Sequence, residues 1–144
     1  MYILLSLDKI YLQQMKAGEK KYEYRRKFPK TKTTAFIYVT SPVKQIKALV
    51  EFGEPIVGPV DRISQIAEQQ RTGLGKEIAT YMSGLKEGFA IPVLKVREVS
   101  PVDLEEMREL FPGFAAPQSY MILDNRQEIL EFLLARLKRD TRES

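Results

Sequence analysis

Apolar and polar positions along this chain change period several times, and each change marks an element boundary. Tyr2–Leu7 is a nearly unbroken apolar run of strand length. Asp8 follows as a cap for a helix over residues 9–17, with Ile10, Tyr11, Leu12 and Met15 on or near its inner stripe and Gly18 as its stop. Residues 35–40 and 46–52 are rich in Val, Ile and aromatics, and read as a hairpin across a Ser41-Pro42 turn. Residues 53–59 form a Gly/Pro loop, after which residues 61–70 and 75–82 take helical spacing on either side of a Thr72-Gly73-Leu74-Gly75 joint. A long strand is expected over residues 89–99. Ser100-Pro101-Val102-Asp103 then has the pattern of a helix start, with Ser at the cap, Pro in the first turn and an acid three residues on. The closing strand covers residues 119–123. A terminal helix follows from Asp124 or Asn125 to about Lys138, and a fraying tail over residues 139–144. The helix stripe Ile129, Leu130, Leu133, Leu134 and Leu137 must be covered, and packing within the chain is expected ahead of a second copy.

Between the first helix and the hairpin, residues 18–26 read Gly-Glu-Lys-Lys-Tyr-Glu-Tyr-Arg-Arg. In an extended strand side chains alternate faces, so Glu23 and Arg25 point the same way and Lys20 stands at the turn leading into them. A Glu beside an Arg can hold the guanidinium in a fixed geometry and leave other donors for phosphate, carboxylate or a base edge. The same pattern is also that of a solvent-facing strand with ordinary surface ion pairs.

Six short strands, with helices inserted after the fourth and fifth, predict an α+β fold: a mixed β-barrel with flanking helices and a C-terminal helix. A chain of 144 residues is expected to form one compact domain, with 44% hydrophobic and 29% charged residues, ordinary for a globular protein. No apolar run reaches membrane-spanning length and the start lacks a basic signal region, so a cytoplasmic protein without a membrane partner is expected. The chain has no Cys and no His. Thiolate chemistry and imidazole bases are therefore excluded, no metal site or cofactor is expected, and any catalysis must use Lys, carboxylates, Tyr or hydroxyls.

Charge is uneven. Residues 1–49 hold 11 Lys/Arg against 3 Asp/Glu, whereas residues 50–144 hold 12 against 16. Lys20, Lys21, Arg25, Arg26, Lys27, Lys30 and Lys32 are interleaved with Tyr22, Tyr24 and Phe28. Cations for phosphates and rings for bases suit single-stranded nucleic acid, although alternation with charged neighbours also describes a half-buried strand whose rings are core.

The skeleton Gly18-x-Lys20-x-x-Glu23-x-Arg25 resembles the Gly-x-Lys-x-x-Glu-x-Arg signature of the ASCH family, whose members have a PUA-like barrel. The stretch Tyr38-Val39-Thr40-Ser41-Pro42-Val43-Lys44 resembles that family's Ser-Pro turn, and Pro117-Gln118-Ser119-Tyr120 its late loop. The resemblance covers residues 1–123, taken as the barrel, with residues 124–144 as a helix and tail on the same domain. It implies a cleft lined by Lys20, Glu23 and Arg25, bordered by Ser41 and Lys44, and closed by Gln118, Ser119 and Tyr120. It further implies an RNA, nucleotide or nucleoside ligand, with single-stranded DNA as a further candidate and a monomer expected ahead of a homodimer. A second class is open: a small hydrolase resembling the members that deacetylate N4-acetylcytidine, or a ribonuclease. In the deacetylating members a motif Lys works with a Thr three residues later and a distant acid. Lys20 matches, but Glu23 stands in place of the hydroxyl, and Glu68 is a candidate for the distant acid. Lys20 and Glu23 are thus the catalytic candidates if the chain is an enzyme. For RNA cleavage, Lys20, Arg25, Tyr38 and Ser41 are the imaginable set.

Overall fold

The computed structural model describes residues 1–143. A curled sheet carries the strand order β2-β6-β4-β3-β1-β7, and a short β5 pairs with β6 beside that path. Strand β1 (Tyr2–Leu7) lies inside the sheet next to the β7 edge and is apolar on both faces except at Ser6, as its nearly unbroken run predicts. It pairs in parallel with β3 (Thr33–Val39) and antiparallel with β7 (Tyr120–Ile122). Strand β4 (Gln45–Phe52) joins β3 to β6 (Gly88–Asp103). β6 in turn takes β2 (Tyr22–Arg25) and β5 (Ile56–Gly58) with its first residues. The expected α+β fold with flanking helices and a C-terminal helix is therefore present, its mixed sheet curled into a half-barrel. No strand pairing joins β2 to β7, which leaves a seam.

Alternation along β1 splits the core. Ile3, Leu5 and Leu7 face the curled interior with Ala35, Ile37, Phe52 and Ile91. Leu4 faces outward with Phe36, under α4 (Leu104–Leu110) and α5 (Gln127–Glu143), where Met107, Ile129, Leu130 and Leu133 seal that side. Helix α5 thus buries its apolar stripe within the chain. A third cluster seats α2 (Val60–Gln70) and α3 (Leu74–Tyr81) on Tyr24 and Ala90. Among the described residues no helix is long and apolar enough to cross a membrane.

Four local expectations need correction. Strand β6 does not stop before Ser100; it runs on to Asp103, and α4 begins at Leu104. The β4–β6 ladder jumps from Ala48↔Glu98 to Ile46↔Val102, so Pro101 lies in a bulge where its missing N–H breaks no ladder bond. Val102 is then drawn into the core, and the Ser100 N–H and hydroxyl both donate to the Asp140 carboxylate on α5. The loop at residues 53–59 contains β5, too short to read between Gly and Pro. On helix α1 (Lys9–Lys16) only Leu12 and Met15 are buried; Ile10 and Tyr11 are exposed. Helix α5 continues to Glu143, past the expected end at Lys138, so residues 139–143 of the expected tail are helical; Ser144 lies outside the described residues.

Candidate functional site

The site is built where β1 ends. Asp8, just beyond β1, caps α1 by accepting from the Ile10 N–H at 2.9 Å. Gly18, at a φ of 76° that suits glycine, turns the chain back toward β2. The carbonyl of Gln14 accepts from both the Glu19 and Lys20 amides, which pins the backbone of Lys20 at the helix end. Alternation in β2 then sends Glu23 and Arg25 to one face while Tyr24 packs on α2 and α3 from the other.

Glu23 is 5% exposed and fully engaged. Its Oε1 accepts from the Tyr24 N–H at 3.2 Å and meets the Lys20 ammonium at 3.3 Å. Its Oε2 accepts from Arg25 Nε at 3.2 Å and Arg25 Nη2 at 2.9 Å. The Lys20 ammonium also lies 5.1 Å from the Tyr11 ring centre and 5.2 Å from that of Tyr24, between two aromatic faces.

Arg25 crosses the seam. Besides Glu23, its Nη2 donates to the Ser6 carbonyl of β1 at 3.0 Å, and its Nη1 to the Ser119 hydroxyl next to β7 at 3.3 Å. Four of the five guanidinium N–H groups are thus engaged, two holding Arg25 to Glu23 within β2 and two crossing the gap to the opposite edge. A side chain here does what a strand ladder does elsewhere in the sheet.

Burial pushes the Tyr24 phenol up to about 12, with neighbouring Tyr22 and Glu23 adding to the effect. Its hydroxyl is buried without a partner. On the outer face of the sheet, burial also raises Tyr38, partly offset by Arg108. Both phenols stay neutral at ordinary pH.

Around this cluster opens a cleft of about 880 Å³. One bank is the end of β1 with α1, including Tyr11 and Gln14; the floor is Glu19 to Arg25; the far bank is α2 and α3, including Arg71, Glu77 and Tyr81. Lys20, Lys21, Arg25 and Arg71 are matched by Asp8, Glu19, Glu23 and Glu77, so the cleft carries no net charge. The cationic excess of the N-terminal half lies outside it, on exposed Arg26, Lys27, Lys30 and Lys32 beyond β2.

Of the residues picked from sequence, Lys20, Glu23 and Arg25 converge on one hollow. Ser119 joins them at the seam through Arg25. Tyr120 instead turns to the barrel interior, 5.6 Å from the Phe28 ring. Gln118 is exposed and does not line the cleft. Ser41 and Lys44 are also exposed and outside it; their turn contains a cis Ser41–Pro42 peptide, and the Thr40 N–H anchors it to the Leu7 carbonyl, beyond the same end of β1. Glu68 is not free to act as an acid in the cleft, because its carboxylate accepts from the Gly73 and Gly75 amides and ties α2 to α3. Sequence reading missed Tyr11, Gln14, Arg71 and Tyr81. Tyr11 has helical spacing with Met15, so the pattern placed it with the inner stripe, and its exposure beside the cleft shows only in the fold. Tyr81 and Arg71 arrive only through long-range packing.

No family model matches the chain. A curated protein of Zymomonas mobilis subsp. mobilis, named ASCH domain-containing ribonuclease, is 23% identical over 118 residues, which is 81% of this chain and 80% of that protein. A crystal structure of ASCH from Zymomonas mobilis superposes with a TM-score of 0.72 at 21% identity, over 90% of this chain and 94% of that one. A serine-to-alanine variant of the same protein gives a TM-score of 0.79 at 21% identity, over 93% and 94%. These structures share the fold described above.

Proposed function

We propose that this chain, which belongs to the ASCH domain family, acts on RNA by holding a single-stranded stretch against the Lys20–Glu23–Arg25 cleft. The observation that carries this reading is the convergence of those three side chains on one tyrosine-walled hollow, with unmatched cations just outside. Rings inside and cations outside divide the work as single strands require: bases stack in the hollow while phosphates run along Arg26, Lys27 and Lys32. The family relative's name, a ribonuclease, supports RNA as the polymer. DNA single strands and free nucleotides offer the same rings and charges and belong to the same reading.

RNA cleavage is the second reading, and that name favours it. Within the cleft, Glu23 accepts from three N–H donors and pairs with Lys20, which argues against it as a proton acceptor. Tyr38 and Ser41 stand outside the cleft that holds Lys20 and Arg25, so that set does not form one constellation. Deacetylation of N4-acetylcytidine is opposed by the same engaged carboxylate where the hydroxyl nucleophile would stand.

The test is anisotropy of labelled single-stranded RNA across salt, with the same samples run on gels over hours. Binding should weaken with salt, with a slope of log affinity on log salt of about −2 for three phosphate contacts on a single strand. A flat curve, or no binding at low salt, removes the reading. Shortened strands on the gels move the assignment to cleavage.

A further inference from the structure

We propose that the site takes an oligonucleotide and not a free nucleotide, because the strand leaves the cleft past Tyr81 along a phosphate track made by Arg26, Lys27 and Lys30 together with Lys86, in the loop between α3 and β6. This rests on the RNA-binding reading above and decides which class of ligand that site holds. Three observations carry it.

The first is where charge is left unmatched. Inside the cleft cations and acids balance, so the phosphate of a lone nucleotide finds no net attraction there. Just outside, Arg26, Lys27, Lys30 and Lys86 are all exposed, and the one acid in residues 26–32 and 82–87 is Glu87, which meets Lys30 at 3.1 Å. Affinity from phosphate contacts is therefore open only to a ligand that reaches beyond the cleft. The second is that the two basic segments adjoin each other and the cleft. The antiparallel pairing of Arg25 with Phe89 sets residues 26 and 27 beside the chain entering β6, and the Lys30–Glu87 pair holds the segments together further on. Tyr81 ends α3 on the cleft wall, and residues 82–87 run from it to the same place. The track thus starts at the rim.

The third is that both segments are anchored. Phe28 is buried, its ring centre 5.9 Å from that of Phe52 and 5.6 Å from that of Tyr120, which fixes the backbone between Lys27 and Lys30. On the other side Met82 is buried and Leu85 packs on the third core cluster, and there is no room for a Cβ between Gly88 and the Met82 sulfur. The cations therefore stand on a backbone set before any ligand arrives, which lowers the ordering cost of meeting a phosphate chain.

The experiment measures anisotropy of a labelled single-stranded RNA octanucleotide of mixed sequence, with an unlabelled dinucleotide and mononucleotides as competitors. The octanucleotide should bind about tenfold or more tighter than the dinucleotide, with mononucleotides weakest. Lys86→Glu should weaken the octanucleotide about fivefold and make its slope of log affinity on log salt shallower by about 0.7, while the dinucleotide is unaffected. Glu87→Gln releases Lys30 and should tighten the octanucleotide. Lys138→Glu makes the same charge change on exposed α5, on the opposite face of the sheet, and should leave the octanucleotide unchanged. Mononucleotides that bind as tightly as the octanucleotide, no response to Lys86→Glu, or an equal response to Lys138→Glu would overturn the track while RNA binding stands. Failure of every strand to bind at any salt would remove the RNA reading and this inference with it.

Discussion

The two sides of the curled sheet are closed by opposite means. Under α4 and α5 the seal is apolar: Leu4, Phe36, Met107, Ile129 and Leu133 interlock without a polar group among them. At the seam between β2 and the β1/β7 edge the closure is ionic, one guanidinium reaching a carboxylate, a carbonyl and a hydroxyl on three segments. The apolar side gains stability from area and shape and is indifferent to what lies in solution. The ionic side is directional and partly open to the cleft, so groups that hold it together also line that cleft.

The strongest way to break the contrast is to hollow out the apolar side. Phe36→Ala should cost about 3–5 kcal/mol in denaturant unfolding, while the protein that remains folded binds RNA as before. Lost affinity in that folded fraction would show the two sides to be coupled. Next comes the seam. Arg25→Ala should cost about 3 kcal/mol, because it strands a nearly buried Glu23 with only Lys20 for charge. Amide exchange should then speed up at Ser6 and Ser119 before it does in β3 or β4. Uniform exchange across the sheet would mean that the guanidinium does not hold the gap.

The smallest effect sharpens the boundary between the two regions. Tyr24→Phe deletes a buried hydroxyl with no partner, and should raise stability at neutral pH by up to about 1 kcal/mol. The folded phenol sits above its ordinary value of 10.0, at about 12. Its contribution is therefore complete below pH 10 and is lost as pH rises toward 12, because the unfolded chain releases that proton first. Melting temperature against pH should fall through this window in the native chain and less steeply in Tyr24→Phe. Parallel curves would assign the alkaline loss to other groups.

What the sequence shows well is local. The shared face of Glu23 and Arg25 follows from strand alternation, and the Asp8 cap and Gly18 stop from residue type. The alternation of β2 also anticipated a core ring, and Tyr24 is one. Distance in the chain defeats the rest. Arg71 and Tyr81 lie some fifty residues or more beyond the motif and reach the cleft only because Ile63, Ala67 and Ile78 seat their helices on Tyr24 and Ala90. Ser100-Pro101 shows the opposite failure, a sound local helix signal overruled by burial of Val102 and by the bonds to Asp140. Net charge misled in a further way, since the cations counted near the motif are outside the hollow and those inside are matched.

The knot at Glu68 sets how wide the opening can be. With its carboxylate gripping two amides of the next helix, and no room for a Cβ at Gly75, where it would lie 2.7 Å from the Ser64 carbonyl, α2 and α3 form a single stiff wedge. The gauge of the aperture is then decided several residues away, where Ile63 and Ala67 rest on the sheet. One methylene added at Ala67 would shift the whole bank, carrying Arg71 and Tyr81 with it.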